Sequence, residues 1–153
     1  MLGTVSLPSA LMPTAALKEF QEAVGEAPPE HPTLPSPELL AFRAGLLREE
    51  WQEVEEELEV LAQRLDGASE GASETDPATA LAPLAHELTD LLYVAYGTLT
   101  QLGVDAEATF AAVHAANMQK MGGPVREDGK LLKPAGWQPA DIRAVLERQL
   151  QEG

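Results

Sequence analysis

From Pro37 onward, apolar residues return at three- and four-residue steps. Leu40, Leu47, Trp51, Val54, Leu58, Leu61 and Leu65 form one stripe, the period of an amphipathic helix. Ser36-Pro37 supplies an N-cap followed by proline at the first helical position, so a long helix is predicted from there to about Leu65, with Gly67 ending it. A second stripe, Leu81, Leu84, Leu88, Leu91, Ala95, Leu99 and Leu102, follows the cap-then-proline signal Thr75-Asp76-Pro77 and predicts a second long helix to about Leu102. Between Leu88 and Leu102 this helix is apolar nearly all round, a pattern of helices covered on several sides. One short chain offers too few partners for that, and a dimer is expected.

The flanking segments read in the same way. Thr14 caps a short helix over Ala15–Val24, stopped by Gly25. The stretch 27–37 carries five prolines and is an extended connector. Asp105 caps a third helix, about Ala106 to Met121, with Phe110 and Val113 facing inward, and Gly122-Gly123-Pro124 breaks it. Residues 125–134 are irregular, with a turn at Asp128-Gly129, and Pro139 opens a last helix carrying Ile142, Val145, Leu146 and Leu150. Residues 67–74 read GASE-GASE, a duplication without a core residue, and 66–76 is expected to be a flexible insert loop. No segment has a strand period. The expectation is an all-α, four-helix-bundle-like domain over 14–153, with antiparallel helices and a flexible N-terminal tail over 1–13.

Composition narrows the chemistry. The chain has 153 residues, a formal net charge of −15 and no cysteine. Without cysteine there are no disulfides, thiolate zinc sites or thiol nucleophiles, which fits a reducing, cytoplasmic setting. A polyanionic chain repels nucleic acid and anionic membrane, and no apolar run approaches the ~20 residues of a membrane span. Residues 1–13 lack a basic start and contain two prolines, so they do not read as a signal peptide. Small phosphates remain possible partners if cations screen the carboxylates.

The carboxylates carry the most specific signal. An acidic run such as Glu49-Glu50-x-x-Glu53 ordinarily means a solvated helix face. At about 100° per residue, however, Glu50 lies about 60° and Glu53 about 120° from the stripe centre, on one side. Glu87 and Asp90 take the same two angles on their own helix. Two antiparallel facing helices are related by a two-fold axis that keeps like flanks together. A hairpin therefore brings Glu50, Glu53, Glu87 and Asp90 to one place. Four converging carboxylates repel one another unless a cation joins them. Arg43 is the one basic residue on that flank. All-oxygen ligation selects Mg²⁺, with Mn²⁺ as substitute, over zinc. The other reading is an acidic helical adaptor whose carboxylates are each hydrated.

Elsewhere, Asn117 falls on the third helix's apolar stripe with Lys120 one turn on. Both have ordinary structural readings, a satisfied core amide and a lysine meeting the helix dipole. Lys130 and Lys133 read as surface lysines unless their segment folds over the site. Trp137 reads as an anchor for the C-terminal segment. His86 should point away from the helix pair and takes no role; His31 and His114 are assigned none.

The order Glu49-Glu50-x-x-Glu53, Glu87-x-x-Asp90, Asn117-x-x-Lys120 resembles the MazG-like all-α nucleoside triphosphate pyrophosphatases, a superfamily that includes dimeric dUTPases and phosphoribosyl-ATP pyrophosphatases. The resemblance spans about residues 17–146, including Phe20, Gly25 and the run RAGLLREEWQE from Arg43 to Glu53. The tail from Asp128-Gly129-Lys130 through Lys133 to Gly136-Trp137 looks like a MazG-like subgroup. The stretch 54–86 between the two carboxylate motifs is longer than the family usually shows, and the GASE insert absorbs the difference. The resemblance implies a dimer, Mg²⁺ held by Glu50, Glu53, Glu87 and Asp90, and Glu49 orienting or deprotonating the attacking water. Asn117, Lys120, Lys133 and Arg43 are the candidate substrate-binding residues. The implied reaction is hydrolysis of a nucleoside triphosphate to monophosphate and pyrophosphate, with dUTP the expected substrate. The alternatives are phosphoribosyl-ATP or a broad range of triphosphates.

Overall fold

The computed structural model describes residues 13–68 and 76–152. Among them it has five helices: α1 Pro13–Ala23, α2 Pro37–Ala68, α3 Pro77–Gln101, α4 Ala106–Met118 and α5 Ile142–Gln151. The one pairing of extended backbone among the described residues is an isolated bridge between Val125 and Leu131, so the all-α expectation holds. The expected tail, apart from Pro13, and most of the GASE insert lie outside the described residues.

Local sequence accounts for the helix starts. Ser36 Oγ accepts from Leu39 N–H (3.1 Å), and Pro37 follows at the first position. Asp76 accepts from Thr79 N–H (3.0 Å) and Asp105 from Ala108 N–H (2.9 Å). Each satisfies a backbone donor that the first turn leaves open. Four expected boundaries are corrected. Thr14 does not cap α1: its hydroxyl donates to the Glu107 carboxylate at 2.6 Å, and the helix already begins at Pro13. The last helix begins at Ile142, capped by Asp141 through Ala144 N–H at 2.9 Å, and not at Pro139. The third helix ends at Met118, and α2 continues through Gly67 to Ala68.

α2 and α3 form an antiparallel hairpin that is the main packing unit, with α1 laid against α3. Arg43, near the start of α2, holds the two helices together near the end of α3. Its Nε donates to Thr98 Oγ1 (3.1 Å) and its Nη2 to the Val94 carbonyl (2.9 Å). The proline connector then crosses the end of α3, where Thr33 N–H donates to the Leu102 carbonyl (2.9 Å). Gly103 makes that crossing possible. Its φ is +68°, and a Cβ there would lie 2.0 Å from the His31 carbonyl oxygen.

Beyond the α2–α3 hairpin the described helices pack more sparsely. α4 touches α3 only lightly and packs on α5. Among the described residues, the buried apolar side chains are Leu17, Val54, Ala106, Ala116 and Val145. Leu88, Leu92, Phe110 and Val113 are 43%, 58%, 65% and 44% exposed, which corrects the inward placement of Phe110 and Val113. Leu92, Phe110 and Val113 line an open apolar groove of ≈ 240 Å³ between α3 and α4. Along α2, Val54 is closed over, while Leu40, Trp51, Leu58 and Leu65 stay exposed. No helix among the described residues is long and apolar enough to cross a membrane.

Candidate metal and nucleotide site

The hairpin brings the two acidic flanks together. Glu50 and Glu53 on α2 and Glu87 on α3 each place a carboxylate oxygen within 4.8 Å of the others. Glu50 and Glu87 are half-buried and Glu53 is exposed. Glu50 Oε2 is buried with no hydrogen-bond partner, an arrangement that costs free energy unless a ligand supplies the missing contact. Desolvation raises the Glu50 pKa first, and the charges of Glu53, Asp90, Glu87 and Glu49 raise it further. Glu87 is raised too, by desolvation and then by the charge and a hydrogen bond of Glu53, against an opposing pull from His86. Crowded anions beside an apolar seam favour the protonated form until a cation arrives.

Asp90 is placed differently. Its Oδ2 lies 3.0 Å from His86 Nε2, and His86, Glu87 and Asp90 form a second close group. His86 itself is largely exposed, and its contact is with a residue of its own helix. His86 and Asp90 are four residues apart and share one helix face, a spacing that was present in the sequence. Glu87 belongs to both groups, so Asp90 stands at the edge of the glutamate cluster. Glu49 is exposed and near enough to raise the Glu50 pKa.

The four candidate substrate residues divide. Arg43 lies between the helices, its Nε and Nη2 taken up by α3, and it is not among the groups that shift Glu50 or Glu87. Asn117, Lys120 and Lys133 do converge, around Trp137. The indole N–H donates to the Ala116 carbonyl (2.7 Å), which bears out Trp137 as an anchor. The Lys120 and Lys133 ammoniums sit 5.2 Å and 4.7 Å from the centre of its ring, a cation–π arrangement. Lys120 also donates to Asn117 Oδ1 (2.8 Å). Asn117 is exposed, not a core amide. Lys133 is brought in because the segment after α4 doubles back through a turn. There Arg126 N–H donates to the Lys130 carbonyl (2.8 Å), with Gly129 at φ 85°.

An antiparallel helix pair with carboxylates on facing flanks, in an all-helical chain, is an arrangement that an all-α nucleotide pyrophosphohydrolase can use. The family model for phosphoribosyl-ATP pyrophosphohydrolase matches residues 17–117. The chain belongs to this family, whose members are hydrolases acting on nucleotides and which falls within the MazG-like superfamily. No curated protein matches the chain. The matched span contains all five acidic candidates and Arg43 and stops at Asn117, so Lys120, Lys133 and Trp137 lie beyond it.

Proposed function

We propose that the protein is a Mg²⁺-dependent nucleoside triphosphate pyrophosphohydrolase that converts dUTP to dUMP and pyrophosphate. The observation that carries this reading is the convergence of Glu50, Glu53 and Glu87 from two helices, with the buried Glu50 Oε2 left unpartnered. A hard-oxygen donor set of this kind fits a divalent cation such as Mg²⁺, with Mn²⁺ as substitute. Glu50, Glu53, Glu87 and Asp90 hold the metal, and Asp90 turns from His86 toward it. When bound, the metal neutralises phosphate charge and makes water more acidic.

The chain's own residues supply the rest. Glu49 lies about 100° around the helix from Glu50. It accepts a proton from the attacking water and orients it. Lys120 and Lys133 meet the phosphates, and Asn117 fixes Lys120. The exposed apolar groove between α3 and α4 is covered by a second copy, making a homodimer. Residues 14–153 act as one domain, in the cytoplasm.

The test is a panel of nucleoside triphosphates incubated with Mg²⁺ and resolved by product chromatography. dUTP should give dUMP and pyrophosphate fastest. Orthophosphate as first product overturns the chemistry, and equal rates on all bases overturn the dUTP assignment. The family match favours a second reading, phosphoribosyl-ATP as substrate, and the panel includes it.

A further inference from the structure

Outside the carboxylate cluster, Gln21 and Gln149 each bury a side-chain oxygen without a hydrogen-bond partner, and Gln21 lies at a cleft. α1, α2 and α3 surround a cleft of ≈ 120 Å³ lined by Leu17, Phe20, Gln21, Arg43, Tyr93 and Val94. Gln21 is 3% exposed. Its Nε2 donates to the Gly97 carbonyl (3.0 Å), and its Oε1 is buried without a partner. The backbone contact fixes which way the amide faces. What Gln21 has left to offer a ligand is an acceptor. The Arg43 guanidinium stands beside it: a Cβ built on Gly97 would lie 2.7 Å from Arg43 Nη2 and 3.5 Å from Gln21 Nε2. The missing side chain at residue 97 is what allows both groups into the same corner. Phe20 and Tyr93 meet edge to face, with ring centroids 6.0 Å apart, and add an aromatic wall. Tyr93 and Val94 come about one helical turn after Asp90 on α3, roughly 5.4 Å along the axis. The cleft is therefore next to the carboxylates.

We propose that this cleft receives the base of the nucleotide and that Gln21 is a specificity residue, its Oε1 accepting the N3–H of a pyrimidine imide. The proposal rests on the carboxylate cluster being the phosphate-cleaving site. Uracil and thymine present a carbonyl, an N–H and a carbonyl along one edge. The N–H meets Gln21 Oε1, and a flanking carbonyl meets the positive field of Arg43. Cytosine presents an unprotonated N3 at that position, so two acceptors face each other and a buried polar group stays unpaired. The small volume suits one six-membered ring rather than a fused purine. Glu26 also borders the cleft and raises the Arg43 pKa by its charge, against the larger effect of burial. The guanidinium thus carries its charge into the site with a carboxylate nearby.

The decisive probe is on the ligand, so the protein stays as it is. Wild-type protein with Mg²⁺ is given dUTP, N3-methyl-dUTP, dCTP and dTTP, and kcat/KM is read by product chromatography. Binding of dUMP and N3-methyl-dUMP is read by calorimetry. Losing one hydrogen bond to a buried acceptor should weaken N3-methyl-dUMP binding, and lower kcat/KM for N3-methyl-dUTP and dCTP, by roughly 10- to 100-fold. dTTP separates the two imide bases. Turnover near that of dUTP means the imide alone is read, and slow turnover means the 5-methyl is also excluded. Gln21→Met should erase most of the dUTP-over-dCTP preference, and Gly97→Ala should reduce it by displacing Arg43, with thermal melting as the folding control. If either variant fails to fold, the methylated ligands decide. N3-methyl-dUTP or N3-methyl-dUMP handled within about 2-fold of its parent overturns the proposal. Discrimination in binding without any hydrolysis would instead overturn the pyrophosphatase reading and keep the cleft.

Discussion

Replacing Glu50 with Gln should make the metal-free protein more stable, although most substitutions at half-buried sites do the opposite. Glu50 carries the clearest repulsion in the molecule. Glu53 and Glu87 have carboxylate oxygens within 4.8 Å of it, and Asp90 and Glu49 add to the effect. Two like unit charges at that distance repel by about 1 kcal/mol in water. Because the site is partly exposed, the water value is the appropriate discount. Removing one charge relieves two such contacts, about 1–2 kcal/mol at neutral pH and low salt. For a chain of this size that shifts the melting temperature by about 2–8 °C.

The pH dependence fixes the sign. Glu50 and Glu87 have folded-state pKa values above the ordinary carboxylate value, so the folded state binds more protons than the unfolded one across that window. Stability contributed by these groups is present at low pH and is lost as pH rises through the raised values. Glu50→Gln should therefore melt above wild type at neutral pH, and the gap should close in acid. With Mg²⁺ the order reverses: wild type gains more, because the variant has lost an anionic oxygen. Melting scans with chelator and with Mg²⁺, at acid and neutral pH, read all four quantities. A metal-free variant that melts at or below wild type at neutral pH, with an unchanged Mg²⁺ shift, would show that the carboxylates are independently hydrated.

Glu49→Gln should keep most of the Mg²⁺ stabilisation yet slow turnover by roughly 10²–10⁴-fold, the range for a lost general base; calorimetry beside kinetics separates the two. Light scattering should give a dimer mass, and Leu92→Glu or Phe110→Glu, in the open apolar groove, should yield a monomer; a wild-type monomer at micromolar concentration defeats the dimer. Asp76→Ala removes the cap that accepts from Thr79 N–H and should cost about 1 kcal/mol, seen as an earlier urea midpoint without loss of activity.

Most of the secondary structure was legible because its causes are local. Ser36-Pro37, Asp76-Pro77 and Asp105 act on backbone donors within three residues, and a 3.6-residue period places Glu50, Glu53 and Glu87 on their flanks before any packing is known. The misreadings came where a side chain had a distant choice. Thr14 could cap its own helix or donate to Glu107, and the tertiary partner won. Phe110 and Val113 border a groove beside α3, yet stay exposed among the described residues.

The sequence by itself determined an all-helical chain and the meeting of two acidic flanks, since helix period and hairpin symmetry leave little freedom. Tertiary structure alone decided how Trp137 gathers Lys120 and Lys133. It also decided that Gln21 and Arg43 share the space left by Gly97. These groups lie far apart along the chain, and no period or cap relates them. Their contact depends on the depth and angle at which whole helices pack, which is set by the sum of many side-chain volumes.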